Sequence, residues 1–258
     1  MATVVPESPE GFEFGAGEVL APFGAVAALA GGPRHLVEAA DHPPCFGISK
    51  STAHRRFLIC TGPGEELLGD VVDRDVAELG AGSACQAAYV ARTMGPARVI
   101  ALDSSEAQHA RSTAMHGEVP RLELVQTDAA AYLTDRPSTL DVAYSLFGAV
   151  DFCDPQVLLP AVAAALRPGG RLVFSTLGHY KTGAPPATEC QPADVPARLV
   201  DGSASTMQRW VLDTPVWEKL LDGFDLADSD TIHDAGPGGG APMATRIFVA
   251  RRRTEPSA

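Results

Sequence analysis

From Asp75 onward, short apolar runs alternate with longer stretches whose apolar residues recur at helical spacing. Val76–Leu79, Val99–Leu102, Leu122–Val125, Val142–Phe147 and Arg171–Ser175 read as strands, with helices near 84–94, 105–116, 129–134 and 155–166 between them. Asp154 as N-cap and Pro155 as first helical residue announce the last of these helices, and Pro168-Gly169-Gly170 turns it into the next strand. Strand–helix alternation at this spacing predicts an α/β fold, a parallel sheet with helices on both faces. Periodicity is then lost over 177–212, which is rich in proline and reads as an irregular, lid-like insertion. A final helix begins near Thr214-Pro215 and carries Val216, Trp217, Leu220 and Leu221, and two last strands near Phe224–Ser229 and Thr245–Ala250 flank a glycine-rich loop.

The first 72 residues differ from this pattern. Residues 1–18 lack periodicity and read as a loose arm; Arg34–Ala40 reads as a short helix, His42–Gly47 as a proline-stiffened turn, and a second helix starts near Ser51. The predicted organisation is therefore an N-terminal arm with helices over 1–72 that cover the active site, and an α/β domain over 73–258. The net charge of −12 and pI near 4.9 disfavour nucleic-acid partners, which reward basic patches. Arg251-Arg252-Arg253, the basic run, reads as a solvated tail. Five irregularly spaced cysteines without a C-x-x-C pair suggest neither a disulfide framework nor a zinc site, and fit a reducing cytoplasm. The apolar stretch Val19–Gly32 is too short to span a bilayer, and acidic residues precede it where a secretory signal wants positive charge.

Candidate chemistry gathers at the strand ends. Asp75–Ala84 is a strand that breaks at Gly80-Ala81-Gly82 into a small-residue turn before an alanine-rich helix, a pattern that aims backbone N–H groups at a ligand. In an open parallel sheet, ligands bind beyond the carboxyl ends of the strands. Acidic residues stand there in Glu78, Asp103-Ser104 and Thr127-Asp128-Ala129. A carboxylate at Asp103 suits ribose hydroxyls, one at Asp128 an adenine amine, and Glu78 either a cationic group or the glycine turn itself. An aspartate in such a place also serves as N-cap of the next helix. The dinucleotide fingerprint G-x-G-x-x-G would need a third glycine where Cys85 stands, whereas G-x-G-x-G meets Ala84, a smaller departure; no Walker sequence is present.

With these residues the chain resembles a class I S-adenosylmethionine-dependent methyltransferase of the small-molecule type. The resemblance is carried by Glu78-Leu79-Gly80-Ala81-Gly82, Asp103, Thr127-Asp128-Ala129 and Leu166–Phe174, with weaker likeness at Arg209-Trp210 and Trp217–Phe224. It implies a Rossmann-like sheet of seven strands, mostly parallel, with Thr245–Ala250 inserted antiparallel beside the fifth. It implies S-adenosylmethionine as cofactor, Gly80 and Gly82 against its methionine part, Asp103 on the ribose, Asp128 and Ala129 on the adenine, and Leu146-Phe147 along the methionine side. Glu78 and Ser104 complete the expected cofactor set.

Methyl transfer from a sulfonium is an in-line displacement that needs alignment, dryness and, for a hydroxyl acceptor, a base; no metal is required. His179, after the fifth strand at the mouth of the lid, is the first candidate base, and His54 on the N-terminal helices the second. Ser145-Leu146-Phe147-Gly148 is not the Asn/Asp-Pro-Pro-aromatic motif of nucleic-acid amino-methylation, which favours a small acceptor, methylated on oxygen or nitrogen, in natural-product or antibiotic biosynthesis. A non-catalytic adenosylmethionine-binding or regulatory protein and a nicotinamide oxidoreductase are the competing readings. The sequence sets neither the acceptor nor the oligomeric state.

Overall fold

The computed structural model describes residues 64–180, 182–198, 203–234 and 243–254. The expected arm, the helices at 34–40 and from Ser51, and His54 lie outside them. Nine strands and six α-helices run in the order β1 (Asp75–Leu79), α1 (Cys85–Thr93), β2 (Arg98–Asp103), α2 (Glu106–His116), β3 (Leu122–Gln126), α3 (Ala129–Thr134), β4 (Leu140–Leu146), α4 (Ala149–Phe152), α5 (Pro155–Ala165), β5 (Leu166–Leu177), β6 (Ala193–Arg198), β7 (Ala204–Arg209), α6 (Thr214–Leu220), β8 (Phe224–Asp234) and β9 (Met243–Arg252) among the described residues.

Seven strands form one sheet in the order β3-β2-β1-β4-β5-β9-β8. β1 to β5 pair in parallel and β9 antiparallel to both β5 and β8. This is the expected Rossmann-like sheet, with the antiparallel strand beside the fifth. Strand order reverses between the parallel neighbours β1 and β4, which places the crevice for a ligand above their carboxyl ends.

The period of two in the strands divides the core. Ala77, Leu79, Leu172 and Phe174 face one cluster with α3, α5 and α6; Val76, Tyr144 and Val173 face the other with α1. Trp217 is fully buried in the first cluster, its ring 5.3 Å from Phe174 and 6.3 Å from Phe248, so it belongs to the core.

Three features depart from the sequence expectation. Within 177–212, β6 and β7 form an antiparallel hairpin. β5 is recorded from Leu166, so the Pro168-Gly169-Gly170 turn lies inside a strand whose register with β4 shifts between Leu140 and Val142. Arg251 and Arg252 are not tail residues: both belong to β9, Arg252 donates to the carbonyl of Leu166, and Arg253 bonds Asp225 at 3.0 Å. The antiparallel return strand needs its full length to match β5 and β8, and that draws the arginines into the fold.

Candidate functional site

The turn after β1 is tightly held. Gly80 has φ +76° and Gly82 φ +56°, and Ala84, at the position of the missing third glycine, is itself left-handed at φ 55°. The N–H groups of Gly80 and Ala81 both donate to the carbonyl of Leu102, at 2.9 and 2.8 Å, and that of Ala84 to the carbonyl of Ala81 at 2.8 Å. Gly82 N–H donates to Asp103 Oδ2 at 2.7 Å. These amides serve the turn and are not offered to an anion.

Ala84 is the N-cap of α1 and has no side chain with which to cap it. Glu78 does so from β1: its Oε2 accepts from the N–H of Ala87 at 2.8 Å. Opposite it in register on β4 stands Tyr144, hydrogen-bonded to the same carboxyl. Burial pushes the Glu78 carboxyl up to about 8, against the lowering pull of the Ala87 and Tyr144 bonds, and the charge of Asp103 adds to the rise. Tyr144 is driven well above its ordinary value by burial and by Glu78.

Asp103 ends β2 with 5% of its surface exposed, its Oδ1 accepting from Ser105 N–H at 2.9 Å. Burial raises its pKa, and the Ser105 and Gly82 bonds oppose the rise. It thus ties the glycine turn to the head of α2. Each oxygen keeps a further lone pair. Asp128 caps α3 through Oδ1 on Ala131 N–H at 2.8 Å, while its Oδ2 lies 3.9 Å from Cys153 Sγ. The Cys153 thiol is pushed up to about 12 by burial first, then by Asp128 and Asp103, so it stays protonated and is no nucleophile.

A cavity of about 110 Å³ opens between these groups. Gly80, Asp103, Ser104, Asp128 and Ala129 line it together, and Phe152 and Cys153 close its far side. The other expected residues are not in its lining: Gly82 is tied to Asp103, Glu78 holds the Ala87 amide of α1, Leu146 ends β4 and Phe147 follows it. Phe147 has φ +49°, a costly conformation for a side chain of its size, stabilised in part by its N–H bond to the Ser175 carbonyl at 3.1 Å. A wider, open groove of about 670 Å³ runs along α6, β8 and Arg253, but it lies at the amino ends of the parallel strands, away from these carboxylates.

His179 sits apart from the cavity with both ring nitrogens engaged. Nδ1 lies 2.8 Å from the Tyr180 carbonyl and Nε2 accepts from Ala244 N–H at 3.3 Å, an arrangement of the Nδ1–H tautomer. Sequence reading missed the Asp151–Arg209 ion pair on the other side of α4, in which Asp151 is fully buried. Its visible signals were an acidic residue in an otherwise apolar stretch and an arginine before a tryptophan.

The donor set fits a nucleoside. Two carboxylates can accept from hydroxyl and amine hydrogens, and at the head of α1, where a pyrophosphate would sit, Glu78 already takes the Ala87 amide.

Residues 76–170 match the family model for a methyltransferase domain. No curated protein matches the chain in sequence. Solved structures of like fold include a candidate S-adenosylmethionine-dependent methyltransferase from Listeria monocytogenes, at TM-score 0.58 and 16% identity over 74% of this chain and 96% of that one. Another, from Mesorhizobium loti, has TM-score 0.55 and 22% identity over 72% and 94%. A third, from work on converting a disulfide bond into a thioacetal group during echinomycin biosynthesis, has TM-score 0.51 and 14% identity over 72% and 78%. Residues 76–170 therefore carry a methyltransferase domain, and the seven-stranded sheet that holds them has the fold of the class I S-adenosylmethionine-dependent methyltransferases.

Proposed function

We propose that the protein transfers a methyl group to an oxygen or nitrogen atom of a small molecule, in natural-product biosynthesis, within the reducing cytoplasm. One observation supports this reading above the oxidoreductase alternative: the Gly80, Ala81, Gly82 and Ala84 amides of the glycine turn and the Ala87 amide of α1 are bonded within the protein and not presented to a dinucleotide pyrophosphate. The acidic net charge of −12 accords with a small acceptor rather than a nucleic acid, and Cys153 and Cys190, outside any disulfide among the described residues, accord with a reducing setting. The echinomycin-related structure shares only the fold, and the link to natural products is the direction in which acceptors are to be sought.

When bound, the cosubstrate supplies an electrophilic methyl on sulfur; the chain supplies alignment and exclusion of water. Asp103 holds the ribose hydroxyls with the lone pairs not used on Gly82 and Ser105. Asp128, with Ala129 as apolar floor, meets the adenine edge. Gly80 and Gly82 keep side chains out of the path to sulfur, and Leu146 and Phe147 form its apolar side.

Calorimetry with S-adenosylhomocysteine and with NAD is the test: binding of NAD alone overturns the reading. Asp103→Ala is expected to weaken S-adenosylhomocysteine binding by roughly 1–3 kcal/mol, about five- to 150-fold. A radiolabelled methyl assay over phenol, alcohol and amine acceptors separates an enzyme from a non-catalytic binder, since cofactor binding with no transfer to any of them favours the binder. Within this reading His179 holds the ends of β5 and β9 together, because a base at Nε2 would have to give up Ala244. His179→Gln is expected to keep kcat within about threefold, whereas removing a general base costs about 10²–10⁴; a loss of that size, with a changed pH–rate profile, would restore His179 as the base.

A further inference from the structure

α4 is four residues long, shorter than a helix that stands alone, and starts from Gly148 without a side-chain cap. Its position is imposed from two sides. On the sheet side Ser145 Oγ accepts from Val150 N–H at 3.2 Å and donates to the Leu79 carbonyl at 2.9 Å. On the other side the end of the hairpin grips it. Arg209, the last residue of β7, places Nε 3.1 Å from Asp151 Oδ2 and bonds the same oxygen through Nη2, and the N–H of Trp210 donates to the Asp151 carbonyl at 2.8 Å. Asp151 is fully buried and the Arg209 side chain is 11% exposed. Burial drives the Asp151 carboxyl up and Arg209 opposes it.

The same guanidinium lies 5.0 Å from the centre of the Phe152 ring. Phe152 faces the cavity that also holds Asp103 and Asp128. One cation therefore touches both the buried anchor of α4 and the ring that walls the cosubstrate cavity. Arginine suits this place better than lysine: its planar fork can grip a carboxylate and lie over an aromatic face at once.

We propose that Arg209 is a positioning residue for cosubstrate binding: from the hairpin it sets α4 through Asp151 and holds the Phe152 ring as the wall against which the nucleoside rests. The inference rests on the reading of the cavity given above. The hairpin is then part of the cofactor site and not only a cover for the acceptor.

The test is calorimetry of S-adenosylhomocysteine on the whole chain, comparing wild type, Arg209→Lys, Phe152→Leu and the double variant. Lysine keeps a positive partner for Asp151, so the fold survives, but it loses the fork and its stacking on the ring. Arg209→Lys is expected to weaken binding about fivefold. In the Phe152→Leu background the same change should alter binding less than about twofold, because lysine still pairs with Asp151 and the ring over which the guanidinium lies is gone. A merely structural arginine would weaken both backgrounds alike, and that result overturns the proposal. Wild-type binding with Arg209→Lys unchanged overturns it while leaving the cavity reading intact; failure of the wild type to bind S-adenosylhomocysteine overturns both.

Discussion

Gly80→Ala is expected to destabilise the protein by about 2–5 kcal/mol, the sum of a left-handed backbone cost and overpacking against main chain. At φ +76° the residue is in a region that alanine enters only with strain, and its new Cβ would stand 2.3 Å from the Ala149 nitrogen and 2.8 Å from Gly148 Cα and carbonyl carbon. Gly148 returns the constraint, since a Cβ there would meet the Leu79 oxygen at 2.4 Å and the Gly80 oxygen at 2.7 Å. Neither backbone can yield: the Leu79 carbonyl is bonded by Ser145 Oγ and the Gly80 N–H by the Leu102 carbonyl. The β1 turn and the entry to α4 are thus packed backbone on backbone, directly beside the cavity. Urea denaturation gives the measurement, and a loss below about 1 kcal/mol would mean that the α4 entry moves aside freely. S-adenosylhomocysteine affinity, measured where the variant is still folded, should fall as well, because α4 carries Ala149 and Phe152 of the cavity wall.

What the sequence made legible followed from local chemistry. The five parallel strands are short, apolar and bounded by turns, and the helices between them carry their own stop signals, so order and direction could be read. The hairpin could not: Pro196 argues against a strand, and Ala193, Ala197, Ala204 and Ser205 supply none of the β-branched alternation that marks one. α4 has too few residues to show any period. In the site, the carboxylates at the strand ends were visible as candidates, but their partners were not. Whether Glu78 meets a ligand or caps α1 depends on where the Ala87 amide falls in space, and whether Asp103 is free or fastened depends on the Gly82 turn. The Asp151–Arg209 pair spans 58 residues of sequence, beyond any local pattern.

Glu78 sets the second large expectation, a loss of stability as pH rises. Its carboxyl is pushed up to about 8 in the fold from an ordinary 4.5. Between those values the folded protein holds a proton that the unfolded chain has released. The stabilisation is therefore full below about pH 4.5, declines through the window, and is gone above about pH 8. At 1.36 kcal/mol per unit, the decline between about pH 5 and 8 is on the order of 3 kcal/mol. Asp103 and Asp151 have pKa values raised mainly by burial and add slopes of the same sign at their own, unassigned windows, so the wild-type curve alone does not isolate Glu78. Glu78→Gln does: the amide oxygen can still accept from Ala87 N–H and the amide group can still meet Tyr144, while no proton is exchanged. Urea midpoints at pH 5, 6, 7 and 8 should fall less steeply in the variant, which is expected to be the more stable protein at pH 8. Equal slopes would show that Glu78 is ionised across the window, with the Ala87 and Tyr144 bonds outweighing burial.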